Sequence, residues 1–497
     1  MAVLVGAGPG GAELITREGH KWLCRADVVL YDRLSAPSLL DACRPDAERI
    51  YVGKQPGTPA LTQEEICQLL VEKCRGGGVV VRLKGGDPLI FGRGGEEADA
   101  LIDAGLAFRI VPGVTAAIAA GSYAGIPLTD RRAASTVTFV TGHEDPDKDE
   151  STINYEALAA LDTLVFYMGV ANLPQIAERL IAGGRGAHTP VAIVQNAARP
   201  TQRTIAATLG TVAEAAREAG VRPPSLLIVG EVTRMHERLG WLEKLPLFGR
   251  CVLVTRTRQQ ASRLSDRLAE LGANVIECPT IEIRPPADWA AADAALRRLD
   301  DFDWLVLTSP NGADALAARM RALGLDGRAL AGLRVAAVGP ATADTLRGHF
   351  IEPDRMPDKF TTEALAAALL AEAGASRGRF LLARADIATN VLPDALRAAG
   401  AAVEEVVVYR TVRPDAMPDA ALEALREGSA DWITFTSSST VENFLALIEG
   451  EDVSLDGVDL ASIGPVTTDT LKAHGLAPAV TAEVHTIDGL VDAILSF

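Results

Sequence analysis

Short apolar runs punctuate the chain, and each gives way to a turn and an Ala/Leu-rich stretch with helical patterning. Ala2–Val5, Val28–Tyr31, Val79–Val81 and Cys251–Thr255 are clear examples and predict strands. Strands alternating with helical stretches throughout the chain predict α/β architecture. Ile110–Leu128 is nearly free of charge, but Pro112, Pro127 and several glycines interrupt it, so no membrane span is expected.

Glycine breaks the pattern twice. Gly6, Gly8 and Gly11 follow the first strand with G-x-G-x-x-G spacing, and Asp32 ends the next strand, which matches a dinucleotide-binding fingerprint. Pro9 stands where that loop would open into a helix, and a nicotinamide-dependent oxidoreductase stays open as one alternative. The second break, RLKGGDPLIFGRGGEE at Arg82–Glu97, turns twice through glycines. Glycine reaches positive φ at little cost, so this backbone is either bent closely around something or is a plain strand-to-helix loop.

The length of 497 residues suggests three to four units at roughly 100–200 residues each. A net charge of −17 argues against nucleic acid as a partner. An acidic substrate must then be held by local basic groups or helix N-termini. The six cysteines form no CxxC pair and the seven histidines no HExxH motif, so inert thiols, no metal site and a reducing, cytoplasmic compartment are expected. No secretion signal is expected before the first strand.

Several blocks together resemble uroporphyrinogen-III C-methyltransferase over about residues 1–245. They are GAGPG at Gly6–Gly10, VVLYDRL at Val28–Leu34, YVGK at Tyr51–Lys54, the Arg82–Glu97 stretch, Val111–Thr129, VTFVTGHE at Val137–Glu144, TLVFYMGV at Thr163–Val170 and VGEV at Val229–Val232. The departure is Gly11-Ala12, where Asp-Pro is usual. The resemblance implies two α/β lobes, about 1–113 and 114–245, a homodimer formed through this half, and S-adenosyl-L-methionine bound between the lobes. It implies transfer of two methyl groups to pyrrole carbons of uroporphyrinogen III, giving precorrin-2 and S-adenosyl-L-homocysteine. Pro9, Gly85, Gly86, Asp87, Ile90, Thr115, Ala116, Met168 and Ala197 are then expected at the cofactor, with Asp32 as proton acceptor and Lys54 as proton donor. Arg33, Lys84, Arg93, Arg131 and Arg132 lie near these motifs and are candidates for holding substrate carboxylates. Plain structural roles compete: Asp32 as a helix cap, Lys54 as a solvated charge, Met168 as core.

A Pro/Gly junction at Glu243–Arg250 precedes an internal repeat. VLVTRTRQQASRLSDRLAELGANV at Val252–Val275 aligns with FLLARADIATNVLPDALRAAGAAV at Phe380–Val403, and Trp304 with Trp432, both at a spacing of 128; AVGPATADTL at Ala337 aligns with SIGPVTTDTL at Ser462 at 125. Two similar lobes with a cleft between them are expected. With FTSSSTVENF, VVVYRT and TIDGLVDAI, residues of about 250–497 resemble uroporphyrinogen-III synthase. The resemblance implies one lobe from about 250–283 plus 412–497, the other from about 284–411. It implies closure of hydroxymethylbilane with inversion of one ring and loss of water. Tyr409 matches a tyrosine that assists loss of hydroxide, and Thr342 and Thr467 match substrate-binding threonines. A non-catalytic tetrapyrrole-binding module remains the alternative for this half.

Overall fold

The computed structural model describes residues 1–34, 37–53, 61–142, 152–256, 258–372 and 377–497, so Lys54 lies outside the described residues. The chain forms two compact units, Met1–Cys251 with Arg267–Asn274, and Val252–Asp266 with Val275–Phe497.

The first unit begins with five parallel strands: β1 (Ala2–Gly6), β2 (Val28–Tyr31), β3 (Glu48–Tyr51), β4 (Val80–Lys84) and β5 (Phe108–Val111), in the order β3-β2-β4-β1-β5. Alternation along β1 feeds two cores. Val3 and Val5 pack with Leu23 and Leu39 on one face, Ala2 and Leu4 with Leu70 and Leu101 on the other. The strand expected at Val79–Val81 continues to Lys84, which carries Arg82 and Lys84 into the interior. The chain runs outward to β3 and returns to insert β4 beside β1. The carboxyl ends of β1 and β4 therefore lie together at the point where ligands settle on open parallel sheets.

A second sheet follows: β6 (Val137–Thr141), β7 (Thr163–Tyr167), β8 (Pro190–Gln195), β9 (Arg203–Thr208) and β10 (Ser225–Val229), ordered β6-β7-β10-β8-β9. Strand β10 runs antiparallel to both β7 and β8, so its start shares an edge with their ends.

From the boundary at Cys251 onward the strands are β11 (Cys251–Val254), β12 (Asn274–Glu277), β13 (Glu282–Arg284), β14 (Trp304–Leu307), β15 (Arg334–Ala337), β16 (Arg379–Ala385), β17 (Ala402–Val412), β18 (Trp432–Phe435), β19 (Asp459–Ser462) and β20 (Val480–Thr481). They form two sheets, β12-β11-β18-β19-β20 and β13-β17-β16-β14-β15. The repeat is visible strand for strand: β11 and β16, β12 and β17, and β14 and β18 start 128 residues apart, β15 and β19 125. Yet neither sheet contains one whole copy. Each joins the first two strands of one copy to the second two of the other. The crossings between the sheets meet each other, because β13 pairs antiparallel with the end of β17, Glu282 opposite Val412.

Among the described residues, no helix is long and apolar enough to cross a membrane, and no group of His, Cys, Asp or Glu is placed to hold a metal.

Candidate functional site

Where β1, β4 and β5 end, three glycines pack backbone against backbone. A Cβ at Gly6 would come within 2.5 Å of Gly113, and one at Gly113 would meet the Gly86 carbonyl and the Gly6 Cα. Gly8 and Gly86 exchange hydrogen bonds, Gly86 N to Gly8 O at 3.0 Å and Gly8 N to Gly86 O at 3.2 Å. The first glycine loop thus serves close packing. It continues into one 3-10 turn, Ala12–Leu14, and the next helix begins only at Arg17. The helix N-terminus that would cradle a dinucleotide's pyrophosphate is missing from that place.

Above these glycines lies a cavity of about 560 Å³. Its floor comes from the carboxyl edge of the first sheet, its other wall from the ends of β7 and β8 and the start of β10. Pro9, Gly85, Gly86, Asp87, Ile90, Thr115, Ala116, Met168 and Ala197 all line it, as does Asp32. Arg33 and Arg93 line it too, whereas Arg131 and Arg132 are exposed and do not, and Arg132 is paired with Asp130 at 2.9 Å. Lining residues that sequence reasoning missed include Gln63, Tyr167, Asn196 and Arg199.

The walls are held in strained conformations. Phe91, Arg93, Met168 and Asn196 line the cavity with φ of 52°, 56°, 54° and 51°. Such left-handed backbone costs about 1–2 kcal/mol per residue and collects at working sites. Asp87 spans two loops, accepting from Leu89 N at 2.8 Å and Gly113 N at 3.0 Å. Thr115 is the N-cap of the helix Ala116–Ala124, but its hydroxyl turns to the Tyr167 hydroxyl at 2.7 Å, which also accepts from Ala117 N. Burial pushes the Tyr167 phenol above its ordinary value, so it stays protonated at neutral pH.

Beneath the cavity lies a chain of charges. Lys84 Nζ and Arg82 Nε both donate to Glu97 Oε1, at 2.7 and 3.1 Å, and Arg82 NH2 reaches Asp32 Oδ2 at 3.3 Å. Asp32 Oδ1 accepts from Leu34 N at 3.0 Å. Lys84 is thus committed inside the protein. Burial first, then the Arg82 charge, push its pKa down, and Glu97 counters them.

In the second unit, the Tyr409 hydroxyl shares a 2.9 Å hydrogen bond with Ser309, which caps the helix Pro310–Ala322. Thr342 and Thr467 are both buried, each the third residue of a nine-residue helix, Pro340–Gly348 and Pro465–Ala473.

Residues 1–213 match the family described as Tetrapyrrole (Corrin/Porphyrin) Methylases, and residues 262–492 match Uroporphyrinogen-III synthase HemD. Across 492 residues, 99% of this chain and 97% of the relative, the chain is 37% identical to Porphyrin biosynthesis protein HemD of Ruminiclostridium josui. The chain belongs to the fused tetrapyrrole methylase and uroporphyrinogen-III synthase family. Its methylase half is 52% identical over 249 residues to Siroheme synthase of Stutzerimonas stutzeri, matching 50% of this chain and 53% of the relative. The chain thus spans about half the length of the siroheme synthases it matches. The methylase half is also 46% identical over 238 residues to an S-adenosyl-L-methionine-dependent uroporphyrinogen III methyltransferase of Methanosarcina barkeri, covering 48% of this chain and 93% of that protein.

Proposed function

We propose that the synthase half closes hydroxymethylbilane to uroporphyrinogen III, with ring inversion and loss of water. The methylase half then moves two methyl groups from S-adenosylmethionine onto pyrrole carbons, giving precorrin-2. The observation that carries this reading is the convergence of nine motif residues on one cavity in a chain of this family.

The cavity suits the methyl donor. Its volume falls within the roughly 300–1,000 Å³ of small-molecule sites. A Cβ at Gly86 would meet nothing closer than 3.8 Å, so the floor leaves room where a side chain would otherwise stand. Gly85, Gly86, Asp87 and Ile90 would hold the donor from one side, Met168 and Ala197 from the other. Thr115 and Ala116 add a helix N-terminus that favours a carboxylate. When bound, S-adenosylmethionine supplies an electrophilic methyl on a sulfonium sulfur.

The chain's own work is alignment and proton handling. Asp32 borders the cavity with its carboxylate fixed by Arg82 and the Leu34 amide, in place to take a proton released on methylation. The role of Lys54 as proton donor rests on the resemblance. In the synthase half, Tyr409 is the group that would donate to the departing hydroxyl, with Thr342 and Thr467 holding substrate. Burial pushes its phenol above the ordinary value of about 10. Tyr409→Phe should therefore slow ring closure and leave methylation unchanged. The wild-type synthase rate should show no loss from tyrosine ionisation up to about pH 9; a phenol-like fall there would overturn the raised pKa, and a full synthase rate in Tyr409→Phe would remove Tyr409 from the role.

A homodimer through the methylase half is the finer reading of assembly. Exposed Ile118, Leu239 and Trp241 around one groove support it, and sedimentation velocity tests it. The function itself is tested by supplying hydroxymethylbilane with and without S-adenosylmethionine and separating the porphyrin isomers after oxidation. Type III isomer without the donor and methylated product with it are expected. Type I isomer alone would sink the synthase reading, and unmethylated uroporphyrinogen III the methylase reading.

A further inference from the structure

One wall of the methylase cavity is a short stretch between β8 and β9, Asn196-Ala197-Ala198, of which Asn196 and Ala197 line the cavity. Asn196 and Ala198 both have positive φ, 51° and 61°, on residues that carry side chains. Backbone of this kind relaxes unless its surroundings hold it. Ala198 is held by a side chain: its N–H donates to Gln202 Oε1 at 3.0 Å. It is also pressed against Gly10, where a Cβ would come within 2.4 Å of the Ala198 carbonyl oxygen.

Gln202 is 1% exposed and can serve Ala198 in only one of its two amide orientations. With the amide turned over, its NH2 would face the Ala198 N–H, donor against donor. Glu243, 41 positions later, decides between the two. Its Oε1 accepts from Gln202 Nε2 at 3.0 Å and from Thr204 Oγ1 at 2.5 Å, which leaves the Gln202 oxygen for Ala198. Glu243 lies in the 3-10 turn Leu242–Lys244, and Trp241 at its N-cap donates from the indole to Ser122 O at 3.0 Å. Ser122 belongs to the helix Ala116–Ala124, whose first residue also lines the cavity. The turn is therefore seated on one support of the cavity and reaches across to another.

We infer that Glu243 is a positioning residue of methyl transfer, acting through Gln202 to hold the Asn196-Ala197-Ala198 wall in the shape that receives the methyl donor. The inference rests on the methylation reading and adds to it a residue that does not itself line the cavity. Without Glu243 the wall would have to be ordered as the donor binds, and that cost would be subtracted from affinity.

The test is S-adenosylhomocysteine binding by calorimetry, with steady-state methylation of uroporphyrinogen III, on the full chain and its variants at positions 202 and 243. Glu243→Ala should weaken S-adenosylhomocysteine binding and raise KM for S-adenosylmethionine about tenfold or more, the scale of a lost charged hydrogen bond. KM for uroporphyrinogen III should stay unchanged. Gln202→Glu should have the same effect by setting two carboxylates face to face. Glu243→Gln keeps the accepting oxygen and should stay within about threefold of wild type. Combining it with Gln202→Glu should restore binding, because the carboxylate introduced at 202 then accepts from both Ala198 N and the amide introduced at 243. A double variant no better than Gln202→Glu alone overturns the positioning role. So does Glu243→Ala with wild-type donor affinity, even if its urea midpoint falls, since Glu243 would then be a structural support only. A wild-type chain that neither binds S-adenosylhomocysteine nor methylates uroporphyrinogen III would end the methylation reading and this role together. Donor binding in the wild type with unchanged variants ends this role alone.

Discussion

Glu97→Ala is expected to destabilise the methylase half by about 3–5 kcal/mol, the cost of stripping a buried charge of its partner. That is a large share of the roughly 5–15 kcal/mol that holds a domain together. Glu97 is 0% exposed, and Arg82 and Lys84 are each 4% exposed. Both bond to Glu97 through Oε1, and with Glu97 removed Arg82 keeps only Asp32 while Lys84 keeps no bonded carboxylate among the described residues. Urea unfolding of the full chain should show the transition that abolishes S-adenosylhomocysteine binding moving down by roughly 1 M or more. Synthase activity should follow its wild-type profile. Glu97→Gln keeps the shape and loses the charge, so a comparable shift there assigns the effect to charge and not to a cavity. A shift below a few tenths of a molar unit in both variants would mean that the cluster is not a stabilising centre.

Gly113→Ala should lower methylation by at least about a hundredfold, the scale expected when reacting groups are displaced by an ångström. Its Cβ would collide with the Gly86 carbonyl and meet the Gly6 Cα at 2.7 Å, all of it backbone that no side-chain rotation can relieve. Gly86 would be driven into the cavity, or β1 and β4 would separate at their ends. Loss of methylation with ring closure intact is the expected pattern. Methylation within a few-fold of wild type would show that the three-glycine contact does not hold the cavity floor in place.

Much of this was legible before the structure. The apolar runs are strands because a parallel sheet buried on both faces asks for little but Val, Leu and Ile, and the motifs then fall at the carboxyl edge by topology alone. What stayed hidden was polar and buried. Lys84 was expected at a substrate carboxylate because it lies among the motifs; it does line the cavity, but its ammonium is bonded to Glu97. A signal did exist on the following helix: its buried residues Gly94, Glu97, Ala98 and Leu101 follow the i, i+3, i+4, i+7 rhythm, which places Glu97 on the inner face and Glu96 on the outer. Arg199 carried no such mark. It sits in a loop without periodicity, and only the fold brings it to the cavity that Arg33, 166 positions earlier, also lines.

The synthase half carries a trace of its own history in the way its strands are dealt out. A chain holding one copy of the repeat would own two strands of each sheet and could complete neither, leaving open edges that invite another chain. Two such chains could finish each other by exchanging halves, as strand-swapped dimers do. Joining the copies in tandem turns that encounter into an intramolecular one, where effective concentration replaces affinity. The covalent duplication thus reads as a dimer made permanent, held at a neck where β13 meets β17.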